Sequence, residues 1–201
     1  TKYWAHGQNG FKLRGIEARQ HSTCQWITSL QKNSLGILKN NFDSGGKYDS
    51  IAVQQQIITM LHDEISLLNS GKINPKDLVV TRRVTKRIQD FSVSTNTQQA
   101  LIRARRLGQD ILPGRKVRFV ATKPSPGVPE SRVILLEELS ENSRFKIDSD
   151  YYQNLAIRAI WAILGPFGWS DEEIRQGQKN THYSISSTLS ILSLVSMTLL
   201  I

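Results

Sequence analysis

Apolar side chains recur every three or four residues in three long stretches of the chain. The first stretch follows Ser22, the second follows Ser50, and the third runs from Tyr152 to Leu164. Side chains at this spacing lie on one face of an α-helix, so each stretch is expected to bury one face in a core. The inward positions are Trp26, Ile27, Leu30, Ile37 and Leu38 in the first helix, Ile58, Leu61, Ile65 and Leu68 in the second, and Tyr152, Leu155, Ala156, Ala159, Ile160, Ile163 and Leu164 in the third. The first two helices are predicted to form an antiparallel pair.

Capping residues and glycines indicate where these helices begin and end. Ser22 or Thr23 is predicted to cap the first helix, and the glycines of "DSGGK" end it. The second helix is expected to stop at Gly71, and "GPFG" ends the third. Ser170 and Glu173 have the spacing of a capping box, which predicts a last short helix.

Short apolar runs between the helices predict strands. Two of them, Tyr3 to Ala5 and Phe11 to Ile16, flank the Asn-Gly turn signal of "HGQNG". The runs "DLVVTRRV" and "VRFVAT" are predicted to be strands, and "RVILLEE" an edge segment. A short helix from about Thr97 to Leu107 is expected to turn Ala100, Ala104 and Leu107 inward. The predicted fold class is α+β, mostly α, with a β-hairpin, an α-rich body and a small β element.

The composition adds a positive charge that is confined to one region. The formal net charge is +9 at pH 7. Between Lys72 and Arg118 the chain has twelve Lys and Arg against three Asp, so this segment alone accounts for the whole excess. A focused basic region is typical of proteins that bind a polyanion, with nucleic acid first and an anionic membrane second. A solvated basic face is the alternative that composition leaves open.

The positive charge follows directly on an apolar run. Successive side chains of a strand alternate between its two faces. One face is predicted to carry Val80, Arg82 and Val84, and the other Val79, Thr81 and Arg83. The apolar half of such a strand anchors it in a core, and the cationic half then projects toward phosphates. Lys and Arg in this position would supply affinity that is independent of sequence and sensitive to salt.

The sequence lacks the residue patterns of common catalytic sites. It has four scattered histidines, no Gly-rich phosphate loop and no nucleophile motif. The single cysteine, Cys24, excludes an internal disulfide and fits a reducing compartment. Asp148 and Asp150 have the spacing of a pair that can hold Mg²⁺, but they precede the third helix, where acidic residues cap free amides. We interpret them as a helix cap and expect no catalytic or metal-ligating residue in this chain.

The last eighteen residues, Ser184 to Ile201, carry no charge. They reach the length of a marginal transmembrane helix. Serine and threonine interrupt the apolar run, however, and no cluster of Lys or Arg precedes it, so we predict that it does not span a membrane. The chain has no signal peptide and begins inside patterned sequence, as a piece of a longer protein would.

Four segments carry motifs that occur in the same order in one known family. "TKYWAHGQNGFKLRGIEARQ" has a Lys-x-Tyr strand, an Arg-Gly-x-Glu strand and a further arginine. It resembles the segment just beyond the catalytic Asp-Thr-Asp of the palm in B-family DNA polymerases. "LVVTRRVTKRIQDF" and "PGRKVRFVAT" resemble the strand, basic turn and Pro-Gly strand of the thumb in that family. "DYYQNLAIRAIWAILGPFGW" is similar to its Tyr-Tyr-x-x-Asn helix, and the whole resembles archaeal-type members most.

The resemblance implies a palm edge at residues 1–21, a thumb domain at 22–179 and an apolar tail at 180–201. It implies part of a DNA-directed DNA polymerase, a nucleotidyltransferase of the cytoplasm and nucleoid. The partner would be a larger catalytic subunit, or the missing N-terminal part, which carries the palm aspartates and their Mg²⁺, and this chain itself is expected to bind no cofactor. The residues implied to contact primer–template DNA are Lys2, Tyr3, Arg14, Arg19, Thr81, Arg82, Arg83, Lys86, Arg87 and Lys116.

Two further expectations concern partners. The family usually carries a sliding-clamp-binding motif with paired aromatic residues after the thumb, and "QKNTHYSISS" lacks that pair, which argues against clamp binding through this tail. The alternative function is a stand-alone basic module that grips duplex nucleic acid without a polymerase partner. The presence of a polymerase chain that ends near Asp-Thr-Asp and lacks its own thumb would distinguish the two.

Overall fold

A computed structural model of the chain describes residues 3–7, 10–45, 50–139 and 145–178. The strands in these ranges are β1 Tyr3–Gly7, β2 Gly10–Arg14, β3 Val80–Arg83, β4 Lys116–Ala121 and β5 Val133–Leu135. The α-helices are α1 Gln25–Asp43, α2 Ile51–Asn69, α3 Asn96–Arg106, α4 Ser149–Leu164 and α5 Asp171–Gln176. Helices predominate, and both sheets are small and antiparallel. This architecture confirms the predicted class, α+β and mostly α.

Helices α1, α2 and α4 form the centre of the molecule, and each contacts the other two. Their inward faces carry the apolar stripes that the sequence predicts, and these side chains join one buried cluster with the three-stranded sheet. Indole groups add polar links between the elements. Trp26 Nε1 of α1 donates to Glu64 Oε2 of α2 at 2.8 Å. Trp169, which lies just before α5, donates from Nε1 to Gln54 Oε1 of α2 at 2.7 Å.

The three-stranded sheet has the order β3-β4-β5, with β4 in the middle. Phe119 of β4 is opposite Val80 on one side and Leu135 on the other, and all three are buried. On the other face of β4, Val120 is opposite Ile134 and is also buried. Helix α3 contacts both β4 and β5 and covers this half of the second face. The half toward Lys116 has no such cover and is exposed.

The β1–β2 hairpin is attached to the far end of α4. Trp4 Nε1 in β1 donates to the Ile163 carbonyl at 3.2 Å. The Trp4 ring also lies 5.8 Å, centroid to centroid, from Phe167 in the turn after α4. Trp4 therefore links the hairpin to the end of α4.

A buried amide, Gln31 of α1, holds the chain that leaves the hairpin. Its Oε1 accepts from the Ala18 backbone N–H at 2.6 Å. Its Nε2 donates to Glu17 Oε2 and to the Ala159 carbonyl of α4, each at 2.8 Å. Gln31 is fully buried, so these bonds replace all contact with water. One side chain thus joins the hairpin exit, α1 and α4.

The hydroxyl of Tyr152 ties α4 to the three-stranded sheet. It donates to the Leu78 carbonyl at 2.7 Å, and it accepts from the Ala121 backbone N–H at 2.9 Å. Leu78 ends a 3-10 turn, Pro75–Leu78, shortly before β3, and Ala121 ends β4. Burial raises the pKa of the Tyr152 phenol well above its ordinary value, so the group stays a neutral donor and acceptor.

Most of the predicted element ends are confirmed. Gly71 follows the C-cap of α2 with a φ of 70°, and Ser170 and Glu173 form the predicted capping box of α5. The predicted cap of α1 is wrong, because the N-cap residue is Cys24 and it makes no side-chain cap hydrogen bond. The inward position of Leu107 is also wrong, since α3 ends at Arg106 and Leu107 leaves the helical face, 51% exposed.

The tail at 180–201 lies outside the described residues. Among the helices that the structure does describe, none is both long and apolar enough to cross a bilayer. The boundary between a palm edge and a thumb at residues 21 and 22 stays a prediction.

Replacement of Tyr152 by Phe tests the link between α4 and the sheet. The variant keeps the ring but leaves the Leu78 carbonyl and the Ala121 amide buried without this partner. We expect a loss of about 1–3 kcal/mol in the free energy of unfolding by urea. Tyr151→Phe is the matched control, because that ring is less buried, and we expect it to lose less than about 1 kcal/mol. Equal losses in the two variants would contradict this assignment.

Candidate nucleic-acid interface

The register of β3 and β4 gathers cationic side chains on one exposed face. Thr81 is opposite Arg118, and Arg83 is opposite Lys116. Directly opposite residues of an antiparallel pair point to the same side of the sheet. Arg83, Lys116 and Arg118 are exposed, and Thr81 is partly exposed. The uncovered half of the sheet face is therefore polar and cationic.

The chain continues the positive charge on both sides of this face. Lys86 and Arg87 lie in the segment that follows β3, and both are exposed. Arg115 directly precedes β4, where its carbonyl accepts from the Val84 amide at 2.8 Å. Because Val84 is buried, this hydrogen bond fixes the backbone from which the basic side chains project.

Several other cations of the basic region are neutralised within the fold. Arg103 of α3 binds Glu138 in a two-bond pair, Nε to Oε2 at 2.5 Å and Nη2 to Oε1 at 2.8 Å. The further ion pairs in this region are Arg106 with Glu130, Arg105 with Asp110, and Arg118 with Glu137. Three of the four pairs join α3 or β4 to the segment around β5, and the Arg105 pair joins α3 to the loop that follows it. The positive charge of these arginines is therefore partly balanced within the fold.

Five cations at the sheet end make no ion pair with any residue that the structure describes. We name this group the cationic edge, and it consists of Arg83, Lys86, Arg87, Arg115 and Lys116. Arg83 and Lys116 are directly opposite each other, and like charges in that position are destabilising. A polyanion laid across the edge would relieve this repulsion, because its phosphates would lie near both charges.

Arg82 lies apart from the cationic edge. It is opposite Val117, whose side chain is buried, so it points to the core-facing side of the sheet. It is only partly exposed, and it lies near enough to the Tyr151 phenol of α4 to act on the pKa of that group. Burial raises the pKa of Tyr151, and Arg82 acts in the opposite direction without cancelling the rise. The sequence predicts that Arg82 and Arg83 both contact DNA. In the structure, these two side chains lie on opposite faces of β3.

The predicted site residues near the N-terminus lie in the hairpin and the turn after it, not in the three-stranded sheet. The backbone of Tyr3 is opposite that of Arg14, and the Arg14 side chain is exposed. Arg19 is exposed but donates from Nη1 to the Leu13 carbonyl at 2.9 Å, which braces the turn after the hairpin. Lys2 lies outside the described residues.

Arg115 is a residue of this surface that the sequence prediction did not include. The sequence places it beside Lys116 in "PGRK", where it looks like one more turn residue. The signal that could have found it is its place directly before a predicted strand, because the start of one strand lies beside the end of its antiparallel partner. With β3 as that partner, Arg115 joins Arg83 and Lys86.

Asp148 and Asp150, which have the spacing of a Mg²⁺-binding pair, both lie at the start of α4. Asp148 is the N-cap residue of α4, and its Oδ1 accepts from the Tyr151 amide at 3.1 Å. Asp150 lies 3.6 Å from Lys123 and is largely exposed. This arrangement confirms the predicted helix cap for Asp148. Among the described residues, no group of three or more His, Cys, Asp or Glu side chains is placed to hold a metal ion.

Comparisons with known proteins show which class of proteins this chain is similar to. It is 23% identical to a DNA polymerase of Thermococcus hydrothermalis, over 90% of this chain and 12% of the relative. A DNA polymerase of Archaeoglobus fulgidus is 20% identical over 81% of this chain and 21% of its own length. A DNA polymerase of Thermococcus aggregans is 26% identical over 83% of this chain and 10% of its own length. No model of a protein family matches the chain.

The fold of the chain is also similar to that of a solved polymerase structure. The family B DNA polymerase of the hyperthermophilic archaeon Pyrobaculum calidifontis has a similar fold, with a TM-score of 0.62 and 19% identity. The similarity covers 81% of this chain and 20% of that polymerase. The predicted resemblance to archaeal DNA polymerases of family B is thereby confirmed. The chain spans between 10% and 21% of the length of the three curated relatives named above.

The pair between Arg103 and Glu138 predicts a pH dependence of stability. Burial acts to raise the pKa of Glu138, but the hydrogen bond and charge of Arg103 outweigh it and hold the pKa below its ordinary value of about 4.5. A carboxyl with a lowered pKa in the folded state stabilises the fold above its ordinary pKa and loses that contribution as the pH falls through the lowered value. Glu138→Gln should therefore cost about 1 kcal/mol at pH 7 and less below pH ~4.

Urea unfolding of the variant and the unchanged chain at both pH values provides the measurement. Glu137→Gln is the neighbouring control, because its pair with Arg118 is longer, 3.4 Å, and more exposed. We expect about 0–0.5 kcal/mol there. A Glu138→Gln effect that stays constant between pH 7 and pH ~3 would show that the charge of Glu138 does not stabilise the fold.

Proposed function

We propose that this chain is the palm-edge and thumb portion of a B-family DNA-directed DNA polymerase. In this role it grips the primer–template duplex during DNA replication through the phosphate backbone. A catalytic subunit, or a preceding part of the same protein, supplies the carboxylates that bind Mg²⁺ and the nucleotide. The cationic edge is the single observation on which the gripping role depends.

The chemistry of the cationic edge suits backbone phosphates better than base edges. Its five side chains are Lys and Arg on long flexible stems, and they project from a sheet end and two turns rather than from an element shaped to enter a groove. Such contacts neutralise phosphates and release counterions, which gives affinity that falls with salt and varies little with sequence. This is the behaviour that a polymerase requires, because it moves along every sequence that it copies.

The β1–β2 hairpin is a second reason to propose that the chain pairs with a catalytic part. In the described part of the chain, β1 and β2 form a sheet of two strands without a third. A sheet of two strands is marginal by itself, and its outer edges present unpaired backbone groups. In the proposed assembly, the remaining palm strands of the catalytic part pair with this hairpin.

The first test measures duplex binding by single-charge variants. Arg83→Gln and Lys116→Gln each remove one phosphate contact, so each should weaken duplex DNA binding about two- to tenfold. Each should also lower the slope of log affinity against log salt by roughly one unit, equally for unrelated sequences. The measurement is fluorescence anisotropy of labelled duplexes over a series of salt concentrations.

The matched control is Arg175→Gln, which removes the same charge from α5, where Arg175 pairs with Asp171. We expect its affinity and salt slope to equal those of the unchanged chain. Unchanged slopes in both edge variants would identify the region as a solvated basic face and would refute the gripping role. A change in sequence preference without a change in slope would also contradict it.

The second test separates a polymerase portion from a stand-alone binding module. Mixed with a B-family catalytic part that lacks its thumb, the chain should increase primer extension, and Lys116→Gln should reduce that increase. Alone it should bind duplex but incorporate no nucleotide, because Asp148 caps α4 and Asp150 lies beside Lys123. Duplex binding without any stimulation of the catalytic part would favour the stand-alone module.

A further inference from the structure

A cleft of about 200 Å³ lies on the core-facing side of β3, away from the cationic edge. Its walls come from the turn after the hairpin, the start of α1, β3 and α4. Pockets for drug-sized ligands usually have a volume of about 300–1,000 Å³, so this cleft suits a smaller group. The residues that line the cleft indicate which chemical group it would bind.

Two guanidinium groups from separate elements line the cleft. Arg82 extends into it from β3 and is only partly exposed. Arg158 enters from α4; it is exposed and makes no ion pair with any described residue. The guanidinium fork of arginine matches the oxygens of phosphate in geometry and charge, and it binds them through charge-assisted hydrogen bonds.

The rest of the lining leaves the positive charge in excess. One carboxylate, that of Glu17, is present, and it already accepts a hydrogen bond from Gln31. Ser22 and Thr23 also line the cleft. Each carries a hydroxyl, a group that can donate a hydrogen bond to an anion.

We propose that this cleft binds one phosphate group between Arg82 and Arg158. The group is either a backbone phosphate of DNA or a free phosphate ion, since both present the same oxygens. The site is distinct from the cationic edge because β3 directs Arg82 and Arg83 to opposite faces of the sheet. The proposal therefore does not require that the edge grips DNA.

The test is a titration of the full chain with inorganic phosphate, observed by NMR. Sodium chloride holds the ionic strength constant, and the Nε–Hε signals of Arg82 and Arg158 are followed. We expect both signals to shift and saturate together. Arg158→Gln should weaken the binding of phosphate by about tenfold or more, because it removes one charge-assisted partner. Arg158 is exposed, so the fold should tolerate the change, and the urea unfolding curve verifies this.

The control variant is Arg175→Gln, which should bind phosphate as the unchanged chain does. Shifts that grow linearly without saturation, or equal affinity in Arg158→Gln, would mean an adventitious ion only and would overturn the proposal. Arg82→Lys provides a second variant at the other wall, and it should also weaken binding, because an ammonium lacks the two-pronged geometry.

Duplex binding by Arg158→Gln then identifies the source of the phosphate. A loss of duplex affinity together with phosphate affinity assigns the cleft to a DNA backbone phosphate. Loss of phosphate affinity alone assigns it to a free ion. The outcome is separable from the proposed function, because unchanged duplex affinity in Arg83→Gln and Lys116→Gln would refute the gripping role while leaving this site in place.

Discussion

The position of the cationic edge depends on one buried phenol. The Tyr152 hydroxyl bonds the backbone shortly before β3 and at the end of β4, and therefore holds both strands against α4. Apolar packing against the helices also holds the two strands, but it is not directional. A surface that matches phosphates needs a fixed spacing between its charges, and a hydrogen bond in a buried site supplies that spacing because breaking it leaves polar groups without partners.

At the hairpin end of the molecule, another buried polar side chain also hydrogen-bonds the backbone of separate elements. Gln31 is a buried amide whose three hydrogen bonds join elements that are distant in sequence. Together with Trp4, it fixes the hairpin to the helical body, so a catalytic part that paired with the hairpin would be held in a defined relation to the sheet. Both ends of the molecule thus rely on side chains that satisfy backbone groups, and α4 takes part in each.

The sequence predicted the helices and the central strands well because their signals are local. Periodic apolar positions identify α1, α2 and α4, and alternation along β3 already separated Arg82 from Arg83. The errors have physical causes: α3 ends one residue before Leu107, and Cys24 instead of Ser22 or Thr23 precedes α1. Which cations remain unpaired could not be predicted, because Glu130, Glu137 and Glu138 reach their arginines only through the fold.

Arg83 and Lys116 lie directly opposite each other, so their like charges also repel each other when no DNA is present. Added salt screens the repulsion between these two side chains, so salt should tighten the end of the β3–β4 ladder in the free chain. In the proposed role, the same ions would compete with the protein for phosphates and weaken its complex with a duplex. The pair would then give salt two opposite effects: salt would order the strand ends of the free chain and would release DNA from the bound chain.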